Sequence, residues 1–196
     1  MPDLRPVVKH ERALTLLGEC FSTPITGLVT VEGGSVARTF AFHTDGQEYI
    51  LRFNLDKMLT SNFPKEAYLA KKLIPHQIPI APIIRVGQQE DLHFIISQRM
   101  PGRMLEEHAP EEVIHILPEL IELLARLHQI DVSDTSGYGV FDYEGKGMAT
   151  SWYTSLASVI EEEDEQDYFG RWHTLFETTF LERAFFEEIY QRMLQL

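Results

Sequence analysis

The chain has one cysteine, Cys20, so no disulfide can close within it. No Cys/His cluster carries zinc-site spacing. No apolar run reaches the roughly 18–20 residues that span a bilayer. The opening Met1-Pro-Asp-Leu-Arg-Pro lacks the apolar centre of a signal peptide. Internal repeats and low-complexity linkers are absent too. These gaps argue against a zinc module, a disulfide scaffold and a membrane bundle, and the simplest expectation is a soluble cytoplasmic protein. Basic residues are scarce in the second half. Residues 101–196 hold 6 Lys and Arg against 20 Asp and Glu, whereas residues 1–100 hold 11 against 10. The total of −13 is thus carried almost wholly by the second half. Such a surface repels nucleic acid and attracts a cationic small molecule or basic partner, unless its acidic helix faces serve solubility alone.

What is present suits a globular protein: 196 residues, 44% hydrophobic and 24% charged, enough for one ordinary domain or two small ones. The first hundred residues read mostly as strand. A short helix is expected over Lys9–Leu17, with Gly18 as its C-cap. Strands are expected over Ile25–Val31, Ala37–His43 and Glu48–Phe53, joined by turns at Glu32-Gly33-Gly34-Ser35 and Asp45-Gly46. Phe63-Pro64-Lys65-Glu66 opens a helix that runs to about Leu73, with Glu66 placed to favour its N-terminus. Pro75, Pro79 and Pro82 enforce a loop. Two more strands follow over Ile83–Val86 and Leu92–Ser97, turned around Gly87–Asp91. The expected result is a five-stranded antiparallel sheet with one inserted helix.

Pro101-Gly102 marks a break, and helix dominates after it. Glu111–Gln129 carries Val113, Ile114, Leu117, Leu120, Ile121, Leu124 and Leu127 at helical spacing, with Pro118 expected to kink or restart it. Asp131–Gly147 reads as a long polar loop. Trp152–Ile160 and Thr174–Leu196 read as amphipathic helices flanking the acidic run Glu161–Asp167. The fold class is therefore α+β. Residues 1–100 form a sheet lobe, a hinge lies near 98–102, and residues 103–196 begin a helical lobe. That plan matches protein-kinase-like phosphotransferases, which place ATP between two such lobes.

Four stretches of the first lobe carry candidate chemistry. Gly33, Gly34 and Ser35 form either a plain hairpin turn or a phosphate cradle, in which the missing Cβ lets backbone approach closely and Ser35 adds a donor. Strand alternation puts Ile50 and Arg52 on one face and Tyr49, Leu51 and Phe53 on the other. A cation on an apolar strand needs an anionic partner unless it faces solvent at an edge. Glu66, 14 residues on and on the helix inserted in this lobe, is that candidate partner; the alternative is a glutamate serving the helix dipole alone. An Arg–carboxylate fork would turn the guanidinium towards phosphate. Gln98, Arg99 and Met100 lie where a strand meets the hinge, with backbone groups free to meet an adenine edge.

The stretches Glu32-Gly-Gly-Ser-Val-Ala-Arg-Thr-Phe-Ala-Phe, Tyr49-Ile-Leu-Arg-Phe-Asn, Ile96-Ser-Gln-Arg-Met-Pro-Gly, Leu124-Ala-Arg-Leu-His-Gln-Ile-Asp and Thr135-Ser-Gly-Tyr-Gly-Val-Phe, the last followed by Thr150-Ser-Trp, occur in a telling order. Through them the chain resembles the aminoglycoside phosphotransferase family, closest to its hygromycin B phosphotransferase-like branch. The resemblance implies a small-molecule kinase that moves the ATP γ-phosphate to a hydroxyl with magnesium. It puts Arg52 at the position of the nucleotide-binding lysine and Glu66 at that of its partner. Gly33, Gly34, Ser35, Ile50, Gln98, Arg99 and Met100 are the further expected nucleotide contacts, and the acidic second half suits a cationic acceptor.

One departure is large. The family's catalytic loop reads roughly His-Gly-Asp with an Asn five residues on, and no His-Gly-Asp occurs here. His128-Gln-Ile-Asp131 is the nearest candidate, but no metal-binding Asn follows it. The catalytic base and magnesium ligands are therefore expected to be missing. The chain is expected to be a form cut short before the catalytic loop, with the ATP lobe retained and no transfer activity alone. The alternative is a nucleotide-sensing or protein-binding module derived from such a kinase. Phe176, Phe180, Phe185, Phe186, Ile189 and Leu194 are expected to leave an apolar face open to self-association.

Overall fold

Alternation of apolar residues along the strands dictates the first structural unit. In the computed structural model, which describes residues 5–33, 36–55, 62–158 and 171–195, five strands form one antiparallel sheet: β1 (Thr26–Val31), β2 (Arg38–Thr44), β3 (Gln47–Leu55), β4 (Ile83–Gln89) and β5 (Leu92–Gln98). Their order is β1-β2-β3-β5-β4. β2 and β3 meet at Asp45-Gly46, whose φ values of 51° and 71° are both left-handed, as a two-residue primed turn requires. Register is continuous from Arg38↔Phe53 to Thr44↔Gln47, and β3 pairs β5 from Tyr49↔Gln98 to Leu55↔Leu92. Phe40, Phe42, Leu51, Phe53, Phe94 and Ile96 therefore share one face.

Helix α1 (His10–Cys20) covers that face with Ala13, Leu16 and Leu17, which are buried together with the strand residues in one core. Edge-to-face contact of Phe40 with Phe53 at 6.3 Å and stacking of Phe42 on Tyr49 at 5.5 Å fill it. Arg12 pins α1 to the β4–β5 turn through the Gln89 carbonyl at 2.9 Å. The helix runs through Gly18 to Phe21, which caps it, so the expected glycine stop does not occur. Apolar contacts of the last turn outweigh the modest cost of a helical glycine.

The opposite sheet face is met by α2 (Asn62–Leu73). Its first turn holds no acidic residue, so Glu66 lies one turn further in than a dipole role needs. Gly87 falls inside β4 rather than in its turn, paired with Phe94, whose ring fills the space of a side chain there: an added Cβ would sit 2.7 Å from Phe94 Cζ. Helix α3 (Pro110–Leu127) passes Pro118 without interruption. Pro110 opens it, His128 closes it, and Arg126 donates to the Gln77 carbonyl at 3.1 Å. Its apolar row stays open to solvent: Ile114 is 62% and Ile121 64% exposed, with Leu117 and Leu124 also exposed.

By compactness the chain divides into Met1–Val132 and Ser133–Leu196. In the second unit the expected polar loop contains a hairpin, β6 (Tyr138–Phe141) with β7 (Gly147–Ala149). Asp142 stabilises its turn by accepting from the Glu144 and Lys146 amides at 2.9 and 3.0 Å. These donors hold its carboxyl below the usual carboxylate range. Helix α4 (Trp152–Ala157) is capped by Ser151, whose hydroxyl accepts from the Thr154 amide at 3.0 Å. Residues 159–170, with the end of that expected helix and the acidic run, lie outside the described residues. The expected helix over 174–196 is broken into α5 (Leu175–Thr178) and α6 (Arg183–Met193). Thr178 and Thr179 hydroxyls donate back to the Thr174 and Leu175 carbonyls, and Thr179 turns extended. Trp172, Phe176, Phe186 and Tyr190 form a ring cluster, and the Tyr190 hydroxyl donates to the Ala157 carbonyl. Phe180, Phe185 and Ile189 are exposed.

Candidate functional site

The sheet face turned away from α1 gathers the polar groups of the first unit. Register places Thr39 opposite Arg52 and Ala41 opposite Ile50 on β2, and Ile95 and Ser97 opposite the same two residues on β5. Ala41, Ile95 and Ser97 are buried, so Ile50 and Arg52 rise from a closed floor.

Arg52 meets Glu66 as the spacing anticipates. Nη1 donates to Oε1 at 3.3 Å and Nη2 donates to Oε2, a two-point fork from strand to helix. Both side chains are half-buried, at 31% and 37% exposure. The guanidinium also lies over the Phe63 ring, 5.3 Å from its centroid. Phe63 and Glu66 are one turn apart on α2, so a single helix face supplies both the ring and the carboxylate. The fork uses part of Arg52's donor set and fixes the guanidinium plane, leaving further N–H groups for an anion.

At the other end of β3, Glu48 shares the parity of Ile50 and Arg52. Four residues of strand separate Glu48 from Arg52, about 13 Å, with Ile50 midway. Glu48 Oε1 accepts from Arg99 Nη1 at 2.5 Å, and its backbone carbonyl accepts the Arg99 amide at 2.9 Å. The Gln98 amide donates to the Pro82 carbonyl at 2.9 Å. Met100 is half-exposed beyond them. Gly33 sits at φ 121°, a conformation that favours glycine, and its surroundings are open. Gly34 and Ser35 lie outside the described residues.

Ile50, Arg52 and Glu66 are thus assembled on one face, and Gln98, Arg99 and Met100 follow the strand beside it. Sequence reading missed Glu48, Phe63, Ser97 and Asn54. The first two had a signal: Glu48 is two residues from Ile50, and Phe63 is three from Glu66. Asn54 is buried on the same face, with no partner for Oδ1 among the described residues.

Magnesium in phosphotransferases needs one or two carboxylates beside the substrate phosphates, and the two carboxylates described on this face are already engaged. No three His, Cys, Asp or Glu side chains converge among the described residues. Glu66 and Glu48 are each engaged by an arginine. The face therefore offers donors to an anion rather than a carboxylate pair to a cation.

Comparison with known proteins gives consistent relatives. The model of the phosphotransferase enzyme family matches residues 27–180. Hygromycin-B 4-O-kinase of Escherichia coli is 26% identical over 156 residues, 79% of this chain and 43% of that protein. The crystal structure of aminoglycoside phosphotransferase APH(4)-Ia aligns with a TM-score of 0.71 and 26% identity, covering 78% of this chain and 51% of that one. A thermostable mutant of it, in ternary complex with AMP-PNP and hygromycin B, aligns at 0.68 and 25% identity over 90% of this chain and 56% of that one. The chain spans about half the length of the relatives it matches.

Proposed function

Because the chain belongs to the phosphotransferase enzyme family, we propose that it binds ATP along the Glu48–Arg52 face as the nucleotide lobe of an aminoglycoside-kinase-like protein. The carrying observation is the Arg52–Glu66 fork on the same face as Ile50. Arg52 takes phosphate oxygens with the donors that Glu66 leaves free. Ile50 covers the adenine ring, and backbone groups of Gln98–Met100 meet its edge. Gly33, at φ 121°, would let backbone approach the phosphates closely, with Gly34 and Ser35 assigned to the same role. The relative bound to AMP-PNP and hygromycin B supports a nucleotide and a cationic acceptor, and the acidic second half suits that acceptor electrostatically. A cytoplasmic setting, where ATP is plentiful, fits this reading.

Transfer itself is a separate matter. Phosphoryl transfer rests on positioning and charge neutralisation. The 196 residues contain no His-Gly-Asp, and the described residues offer no magnesium cluster. We assign these 196 residues nucleotide binding without transfer when they act alone, as a nucleotide-binding lobe or a nucleotide-sensing module. Self-association through the exposed Phe185 and Ile189 of α6 belongs to the same proposal.

Thermal unfolding with ATP, ADP and magnesium tests the binding, and a coupled assay with hygromycin B tests transfer. Stabilisation that rises with nucleotide concentration, without turnover, is expected. Unchanged unfolding at millimolar ATP would sink the binding reading. Magnesium-dependent phosphorylation by the purified chain would overturn the assignment of no transfer.

A further inference from the structure

The hinge end of the sheet face carries a second arginine–carboxylate pair that nucleotide binding, as argued so far, leaves without a task. Glu48 holds Arg99 twice. Its carbonyl accepts the Arg99 amide at 2.9 Å, and its Oε1 accepts Arg99 Nη1 at 2.5 Å. His43 Nε2 lies 3.8 Å from the same oxygen, across the β2–β3 register at His43↔Glu48. On the other side of β5 the Gln98 amide is taken by the Pro82 carbonyl. Two successive hinge amides are thus consumed on opposite sides of the strand. Pro101 has no N–H. Among the described residues, Met100 is left with the one amide from Gln98 to Pro101 that has no protein acceptor, beside a half-exposed side chain.

We propose that Glu48 is a positioning residue: its double hold on Arg99 aims the Met100 amide at a purine ring nitrogen and so sets preference among bases. This rests on the nucleotide reading above. A held N–H loses little freedom when it meets its acceptor, so binding retains more of the bond's free energy. Adenine presents a bare ring nitrogen on its pairing edge, whereas guanine presents N–H at that atom. A donor fixed in place welcomes the first and opposes the second. If Arg99 is released, the chain entering Pro101-Gly102 gains freedom and the discrimination weakens. Gly102, at φ 116°, adds no restraint of its own.

The test uses the full chain with Glu48→Ala, Arg99→Ala and the double variant. Calorimetry measures binding of ATP, GTP and inorganic tripolyphosphate, the last being a probe without a base. Amide exchange by NMR reads Arg99 and Met100 against Leu51 and Phe53. Each single variant should weaken ATP roughly two- to five-fold, the loss of one partly exposed charged contact. The double variant should be no worse than either single one, because both remove the same contact. Tripolyphosphate and GTP should stay within about two-fold of the parent, so the ATP preference falls. Exchange should quicken at Arg99 and Met100 and hold at Leu51 and Phe53.

ATP affinity unchanged in both single variants, with the parent binding, overturns the proposal. Equal weakening of tripolyphosphate also overturns it, since Glu48 would then merely hold the sheet together. If the parent binds no nucleotide, the nucleotide reading fails by itself. Exchange then decides on the clamp: unaltered exchange at Met100 in Glu48→Ala removes it, and quickened exchange keeps it.

Discussion

Replacing Arg52 by alanine should cost more in affinity than in stability. In the folded protein Arg52 makes a two-point fork to Glu66 and lies 5.3 Å over the Phe63 ring. Both charged side chains are about one-third exposed, so solvent screens the pair and it contributes roughly 0.2–1 kcal/mol. The ring contact adds about 0.5–1 kcal/mol. Alanine should therefore remove about 1–2 kcal/mol, and the unfolding midpoint should drop by several degrees in a unit of this size. Phosphate contacts are stronger, because charge-assisted bonds to an anion contribute about 1.5–3 kcal/mol each. Loss of even one weakens ATP roughly ten- to hundred-fold, and calorimetric titration with ATP and ADP measures it. Arg52→Lys keeps the charge without the fork and should fall between parent and alanine. Glu66→Gln keeps the shape but not the fixed orientation, so it should lower affinity with little change in unfolding. An Arg52→Ala protein that binds ATP like the parent refutes the reasoning. Loss of the fold itself would show that the arginine serves the core instead.

Three further outcomes follow from the packing and the titrating groups. Gly87→Ala drives a methyl against the buried Phe94 ring and should cost about 1–3 kcal/mol in chemical denaturation, whereas a loss under a few tenths would show that the ring yields freely. Burial raises the Cys20 thiol above its ordinary range, and Arg85 opposes that rise. Alkylation should therefore be slow near neutral pH and climb only in alkaline solution, and Arg85→Ala should slow it further at fixed pH; faster alkylation in that variant contradicts the assignment. Asp142, whose pKa is lowered by the Lys146 and Glu144 amides, stabilises its turn when ionised. That stability is complete above the ordinary carboxylate pKa and lost as pH falls through the lowered value, so amide exchange over Tyr138–Ala149 should quicken only in strong acid.

The sheet was legible because its strands alternate cleanly and one face is wholly buried, which fixes register. The Arg52–Glu66 pair was legible for the same reason: parity put the arginine opposite the core, and a single helix stood nearby. The Glu48–Arg99 pair was not, because the partners lie 51 residues apart and only the pairing of β3 with β5 brings them together. The β6–β7 hairpin escaped notice because strands of four and three residues, holding Gly139 and Gly147, show no period. The break between α5 and α6 escaped notice because Phe176 and Phe180 continue a helical rhythm while threonine hydroxyls compete for the backbone.

The open row on α3 would tie any clustering of copies through it to salt. Repulsion between copies carrying −13 charges keeps them apart in dilute buffer, where fields extend tens of ångströms. Near physiological ionic strength that reach shrinks to about 8 Å. If copies meet through Ile114, Leu117, Ile121 and Leu124, all exposed, the electrostatic barrier to that contact falls as salt rises. Added salt, which loosens associations held by charge, should here make the solution more prone to cluster. Light scattering along a salt series reads that trend, and a flat response would mean that this row is not the surface through which copies meet.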